Sequence, residues 1–167
     1  PENAWAHNIR VPLEGPPRHE SENNLDLLRA LGIEEIQSQP QLYFNSAETQ
    51  KIADLIQQYR PTRDQPVVLV KSGTRIAKWG WQWKKFQTVI EHLLESNKAQ
   101  VWLVNGPGEE AELQTAIANM QRKPQLLPLL SAKELALLMQ ECDVLLCNHT
   151  GIMHLASAVD KPVCVIF

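Results

Sequence analysis

Apolar residues fall along this chain in two rhythms, and the change from one to the other lies near residue 61. Before it the pattern is sparse. Residues 1–20 are rich in proline and polar groups, and Val11-Pro-Leu-Glu-Gly-Pro-Pro17 is too broken for regular structure, so a linker or arm is expected. Ser21 stands as a cap before Leu25, Leu28 and Leu31, which share one helical face, and Gly32 ends that helix. A second helix is predicted from Ser46, with Ile52, Leu55, Ile56 and Tyr59 on one side and Pro61 closing it.

Beyond Pro61, short apolar runs alternate with amphipathic stretches. Strands are predicted at Pro66–Val70, Val101–Val104, Leu126–Leu127, Val144–Cys147 and Pro162–Phe167. Pro66-Val-Val-Leu-Val70 is continuously apolar, as suits a strand covered on both faces. Between the strands, Trp83, Phe86, Ile90, Leu93 and Leu94 give one helix, and Leu113, Ala116, Ile117 and Met120 give the next. Ser131-Ala-Lys-Glu134 has the spacing of a capping box and leads into Leu135, Leu138 and Met139. This alternation implies right-handed crossovers and an α/β fold, a doubly wound, Rossmann-like parallel sheet with helices on both faces. The expected strand order is 3-2-1-4-5. The expected organisation is therefore an arm with two helices over 1–60, then a Rossmann-like domain over 61–167 that is truncated at its C-terminus.

In that strand order the direction of winding reverses between the first and fourth strands, and ligands bind in the crevice outside the strand C-termini there. Two loops border it. Lys71-Ser-Gly-Thr-Arg-Ile-Ala-Lys78 offers a glycine, two hydroxyls and three cations, but neither the Gly-Lys-Ser/Thr ending of a phosphate loop nor Gly-x-Gly-x-x-Gly. Standing alone, it also reads as a solvated loop. The second loop puts Thr150 and Gly151 at the start of a short helix, whose unpaired N–H groups and positive dipole end suit a diphosphate. His154, about one turn in, reads more readily as a helix-face histidine bonded to a carbonyl than as a ligand-binding one.

Other groups carry weaker signals. Trp79, Trp81 and Trp83 can stack on a sugar or base, although Trp83 falls on the buried face of its helix and Trp79 can wedge the helix start against the sheet. Asn105-Gly-Pro-Gly-Glu-Glu110 turns tightly and brings Glu109 and Glu110 to a helix N-terminus, where acidic residues serve the dipole. A carboxylate after the second strand is also where nucleotide-binding sheets grip ribose hydroxyls. His149, His154, Cys142 and Cys147 lack the spacing of a zinc site, so no metal is expected.

Composition narrows the setting. The net charge of −3 and pI near 6.0 argue against a nucleic-acid binder, so an anionic ligand must be met by a local site. Cys142, Cys147 and Cys164, odd in number and in apolar surroundings, favour reduced core thiols over a disulfide framework and hence a cytoplasmic setting. No run approaches the roughly 18 apolar residues of a membrane span, which leaves a soluble segment free to associate peripherally with a membrane.

Taken together, these residues resemble the C-terminal half of glycosyltransferase family 9, the bacterial heptosyltransferases of lipopolysaccharide inner-core synthesis. His19-Glu20-Ser21 with Leu25, Leu27-Leu28 and Leu31-Gly32 is similar to the family's interdomain segment. Val68-Leu-Val70, Ser72-Gly73, Lys78-Trp79 and Phe86 resemble its donor-side strand, phosphate loop and helix. The most specific match is Thr150-Gly151, Met153-His154-Leu155-Ala156 and Pro162. The resemblance implies a two-domain GT-B arrangement, transfer of heptose from ADP-heptose to a lipopolysaccharide or other glycan acceptor, and neither cofactor nor metal. It implies that Thr74 and Lys78 contact the donor phosphates and Glu109 the ribose, with the backbone of Thr150, Gly151, Ile152 and Met153 cradling the diphosphate beside His154. The general base is expected in the N-terminal domain, which this chain does not contain. The chain would then hold no catalytic residue, would be inactive alone, and would work in the cytoplasm at the face of the inner membrane. His149 stands where the family commonly has Asp, which replaces a carboxylate near the donor by an imidazole. A transferase using a UDP-sugar, or a non-catalytic nucleotide-sugar-binding module, would share most of these features.

Overall fold

The structure is a computed structural model, and it describes residues 5, 8–12, 15–34, 40–60, 64–74, 78 and 80–167. Pro61, Arg75 and Trp79, all invoked in reading the sequence, lie outside the described residues. The chain forms two compact units, residues 1–41 and 42–167.

In the first unit, α1 spans Glu20–Arg29 and buries none of its residues, so the leucines on it are not a core stripe. Its cap is His19 rather than Ser21: the His19 imidazole accepts from the Ser21 amide at 3.2 Å, which places Ser21 inside the first turn. The Asp26 carboxylate bridges Arg18 and Arg29 along the helix surface. Gly32, at φ +81, takes the left-handed turn past the helix end.

The second unit begins with α2, Ser46–Tyr59, opened by a capping box in which Asn45 and Glu48 exchange hydrogen bonds of 2.8 Å. The sequence pattern groups α2 with the arm. In the structure Ile52 and Leu55 join the sheet's core, and Lys51 bonds Glu134 at 2.7 Å, so α2 belongs to the sheet domain. Its apolar stripe is what draws it there.

The remaining elements alternate: β1 Val67–Lys71, α3 Trp83–Glu95, β2 Gln100–Leu103, α4 Glu110–Ala118, β3 Gln125–Leu126, α5 Ala132–Glu141, β4 Val144–Asn148, α6 Ile152–Ala158 and β5 Val163–Ile166. They build a five-stranded, all-parallel sheet in the order β3-β2-β1-β4-β5, as the sequence predicts. Successive β1 side chains enter opposite cores. Val67 and Leu69 pack with α2, α5 and α6 around Trp102, Leu138 and Leu145, whereas Val68 and Val70 pack with α3 and α4 around Phe86, Ile90 and Leu113. Two covered faces explain why the strands are uninterrupted apolar runs. Cys142 and Cys147 are core thiols as expected, and burial pushes them up to about 12 and about 11. Cys164 is exposed, because its strand β5 is an edge strand. No helix among the described residues is long and apolar enough to cross a membrane.

The predicted capping box of α5 is present, with Ser131 N donating to Glu134 at 2.7 Å and Glu134 N to the Ser131 hydroxyl at 3.3 Å. At the N-terminal ends of the strands the Asp143 carboxylate accepts from Val67 N at 2.8 Å, fixing where β1 begins. Trp102, 1% exposed, is the largest wholly buried side chain among the described residues, and its removal leaves a void in the core shared with α2, α5 and α6. Trp102→Ala should destabilise the domain by about 3–5 kcal/mol, read as a lowered urea midpoint with secondary structure retained.

Candidate functional site

β1 and β4 lie side by side, with Lys71 opposite Cys147, and their C-terminal ends release the two loops singled out from the sequence. After β1 the chain is pinned at both margins of its loop by one side chain. Asn148, wholly buried at the end of β4, donates through Nδ2 to Ser72 O at 2.6 Å and to Trp81 O at 3.2 Å, and accepts Trp81 N at Oδ1 at 2.8 Å. Gly80 lies so close that a Cβ there would fall within 2.8 Å of three atoms of that amide. Here a glycine is required by contact rather than by backbone dihedral.

The loop itself carries Thr74, half-buried, and Lys78, exposed. Behind it stands an ion pair. Lys71 Nζ donates to Glu109 Oε1 at 3.0 Å and to Oε2 at 2.8 Å, and Gly106 N adds a third bond to Oε2 at 2.7 Å. Gly73 passes so close to the pair that a Cβ would overlap both the carboxylate and the ammonium. Glu109 is the N-cap residue of α4 and makes no side-chain bond to that helix's amides. The tight turn after β2 therefore aims its carboxylate at β1 and not at the dipole. Burial, the largest single influence, pushes the Glu109 carboxyl up, but the bonds from Lys71 and Gly106 together outweigh it, and the group sits below its ordinary value.

Ser72, Gly73, Thr74, Trp81, Trp83 and Glu109 border a cavity of about 260 Å³ that opens between this loop and α4. Trp81 lines it and meets Phe86 edge-on, with centroids 5.8 Å apart, while Lys85 Nζ lies 5.8 Å from the Trp81 ring centre. Trp81 is thus anchored by backbone, ring and cation together.

The second loop is differently equipped. Met153 N bonds Thr150 O and His154 N bonds Gly151 O, both at 3.2 Å, so these two amides are engaged within the turn. The amides at the start of α6 are those of Thr150, Gly151 and Ile152. The Thr150 hydroxyl is buried and has no hydrogen-bond partner among the described residues. Gly151 is exposed, and apart from its chain neighbours nothing lies within 4 Å of where its Cβ would sit. Ile152 is buried under the sheet and anchors the turn, Met153 packs against the same core, and His154 is exposed.

His149 points elsewhere. Its ring stacks on Phe167, centroids 4.9 Å apart, and its amide continues the β4–β5 ladder to Ile166 O at 2.9 Å. The structure therefore brings Thr74 and Glu109 to one cavity and puts the Thr150–Ile152 turn at the end of the adjoining strand, with His149 on the β5 side. Lys71, Gly80 and Asn148 escape a reading by motif. The signal for Asn148 was its type, a polar residue closing the apolar run Val144-Leu-Leu-Cys147.

The sequence profile described as Glycosyltransferase family 9 (heptosyltransferase) matches residues 3–167. Among solved structures, the glycosyl transferase family 9 protein from Veillonella parvula DSM 2008 shares 18% identity at a TM-score of 0.77, over 93% of this chain and 45% of its own. E. coli heptosyltransferase WaaC with ADP shares 20% identity at 0.67, over 99% of this chain and 50% of its own. E. coli ADP-heptose lps heptosyltransferase II shares 17% identity at 0.62, over 81% and 42%. At these identities the likeness is one of fold. The chain spans about half the length of the solved structures it matches. No curated protein sequence matches it significantly.

The Lys71–Glu109 pair makes a pH prediction. A carboxyl held below its ordinary value of 4.5 stabilises the fold above that pH, and the contribution is lost as acid carries the pH down through the lowered folded value. An NMR titration of the Glu109 side chain should find its midpoint below 4.5, and Lys71→Ala should move that midpoint upward, because burial is then opposed only by Gly106. An unmoved midpoint would show that the pair does not govern Glu109.

Proposed function

This chain belongs to glycosyltransferase family 9, and from that premise we propose that it is the donor-binding portion of a heptosyltransferase, taking heptose from ADP-heptose to a lipopolysaccharide core acceptor. One observation carries the reading. At the C-terminal ends of adjacent β1 and β4, a loop bearing Thr74 and Lys78 adjoins a helix start whose buried Thr150 hydroxyl has no protein partner among the described residues. Buried hydroxyls are rarely left unbonded, and a phosphate oxygen is the acceptor this position suits. E. coli heptosyltransferase WaaC, whose fold the chain shares, was solved with ADP and with ADP-2-deoxy-2-fluoro heptose, which supports an ADP-sugar as the donor.

The proposed mechanism uses the chain's own residues. As the bond from sugar to diphosphate breaks, negative charge grows on the leaving phosphate. Lys78, the Thr74 hydroxyl and the amides of Thr150, Gly151 and Ile152 meet that charge at a fixed distance, stabilising the transition state more than the ground state. Glu109, kept ionised by Lys71, is a pure acceptor and suits the ribose hydroxyls. Met153 and His154 complete the turn, whose own amides brace it from within. His149, whose ring lies against Phe167, stands at the β5 edge of the proposed site. The acceptor, the general base and the GT-B partner domain belong to the rest of the enzyme, which would act in the cytoplasm at the inner membrane.

Calorimetric titration of the chain with ADP tests this. The chain should bind ADP with micromolar to millimolar affinity and prefer it to UDP. Lys78→Ala should weaken binding roughly tenfold, about 1.4 kcal/mol. Absence of binding by a folded sample, or equal affinity for UDP, would count against an ADP-sugar donor.

A further inference from the structure

We propose that Asn148 is a positioning residue for the donor phosphates, one amide that fixes the loop bearing Thr74 and Lys78 relative to the Thr150–Ile152 turn. The inference rests on the donor-site reading above. Among the described residues Asn148 is the one polar residue in the set of largest wholly buried side chains, and its side-chain hydrogen bonds all cross to the loop after β1. They grip the loop immediately before Gly73, at Ser72, and immediately after Gly80, at Trp81. Its own main chain leads directly into the Thr150 turn. The same residue thus belongs to one half of the proposed phosphate site and clamps both margins of the other.

The chemistry demands an amide. Trp81 N needs an acceptor and the Ser72 and Trp81 carbonyls need a donor each, and among side chains this short only asparagine supplies one acceptor together with two N–H donors, a hydroxyl having a single hydrogen to give. Aspartate would set a carboxylate against the Ser72 and Trp81 carbonyls with no proton to give. Alanine would leave three main-chain groups unpaired. Gly80 completes the lock, since any side chain there would strike the amide. A ligand that must be met from two loops binds more tightly when their separation is set beforehand, because less ordering remains to be done on binding.

A double-mutant cycle distinguishes this role from general support of the fold. ADP affinity is measured for the full chain as wild type, Lys78→Ala, Asn148→Ala and the double variant, with each folded fraction determined by thermal melting. If Asn148 acts by placing Lys78, Asn148→Ala should weaken ADP binding about tenfold in the wild-type background and less than about threefold once Lys78 is gone. Gly80→Ala, which disturbs the amide from outside, should show the same dependence on Lys78, and it carries the test if Asn148→Ala does not fold. Equal factors in both backgrounds would overturn the inference while leaving the donor site intact. Failure of the wild-type chain to bind ADP would remove the donor-site reading and this inference together.

Discussion

The pairing of β1 with β4 is the constraint on which the rest of this structure depends. β1 is central, with β2 on one side and β4 on the other, so the sheet reverses its winding at that seam. The crossover helices must then leave toward opposite faces: α3 and α4 cover one, α5 and α6 the other. Loops that depart in opposite directions open a crevice between them. An open seam at the edge of a dry core exposes main-chain groups that need partners. Asn148 supplies them from inside the fold, so closure of the core and shaping of the crevice are the work of one residue.

Polar groups around the crevice divide between those whose bonds are met within the protein and those left open to a ligand. Lys71 and Glu109 satisfy each other, and Glu109 also takes the Gly106 amide. A pair with its carboxylate 34% exposed adds little to stability. Its consequence is orientation, for it holds a carboxylate against the backbone at Gly73, where a side chain would have to displace the pair. The Thr150 hydroxyl is the opposite case, buried without a partner among the described residues.

Much of this was legible in the sequence because it follows from periodicity. Continuous apolar runs declared strands with two covered faces, and their alternation with helical stripes yielded the strand order. Both capping boxes sit at helix starts that the spacing of apolar residues also marks. Where the reading departed from the structure, tertiary contact decided. α2 could not be assigned to the sheet domain, because nothing local says which surface its stripe will meet. The polar His19 captured the cap from Ser21 by an imidazole bond that no spacing rule anticipates. Asn148 and Gly80 act on one another across 68 positions of chain, and their pairing is visible only once β1 and β4 are adjacent. His149 stacks on Phe167, a contact that depends on β5 lying next to β4.

The most direct measurement of the central claim is a crystal structure of the chain with ADP. The diphosphate is expected in the crevice at the ends of β1 and β4, within hydrogen-bond distance of Lys78, the Thr150 hydroxyl and the amides at the start of α6. The Asn148 bonds to Ser72 and Trp81 should be intact in that complex. ADP bound elsewhere, or bound in the crevice with the Thr150 hydroxyl untouched and the Asn148 bonds broken, would contradict it.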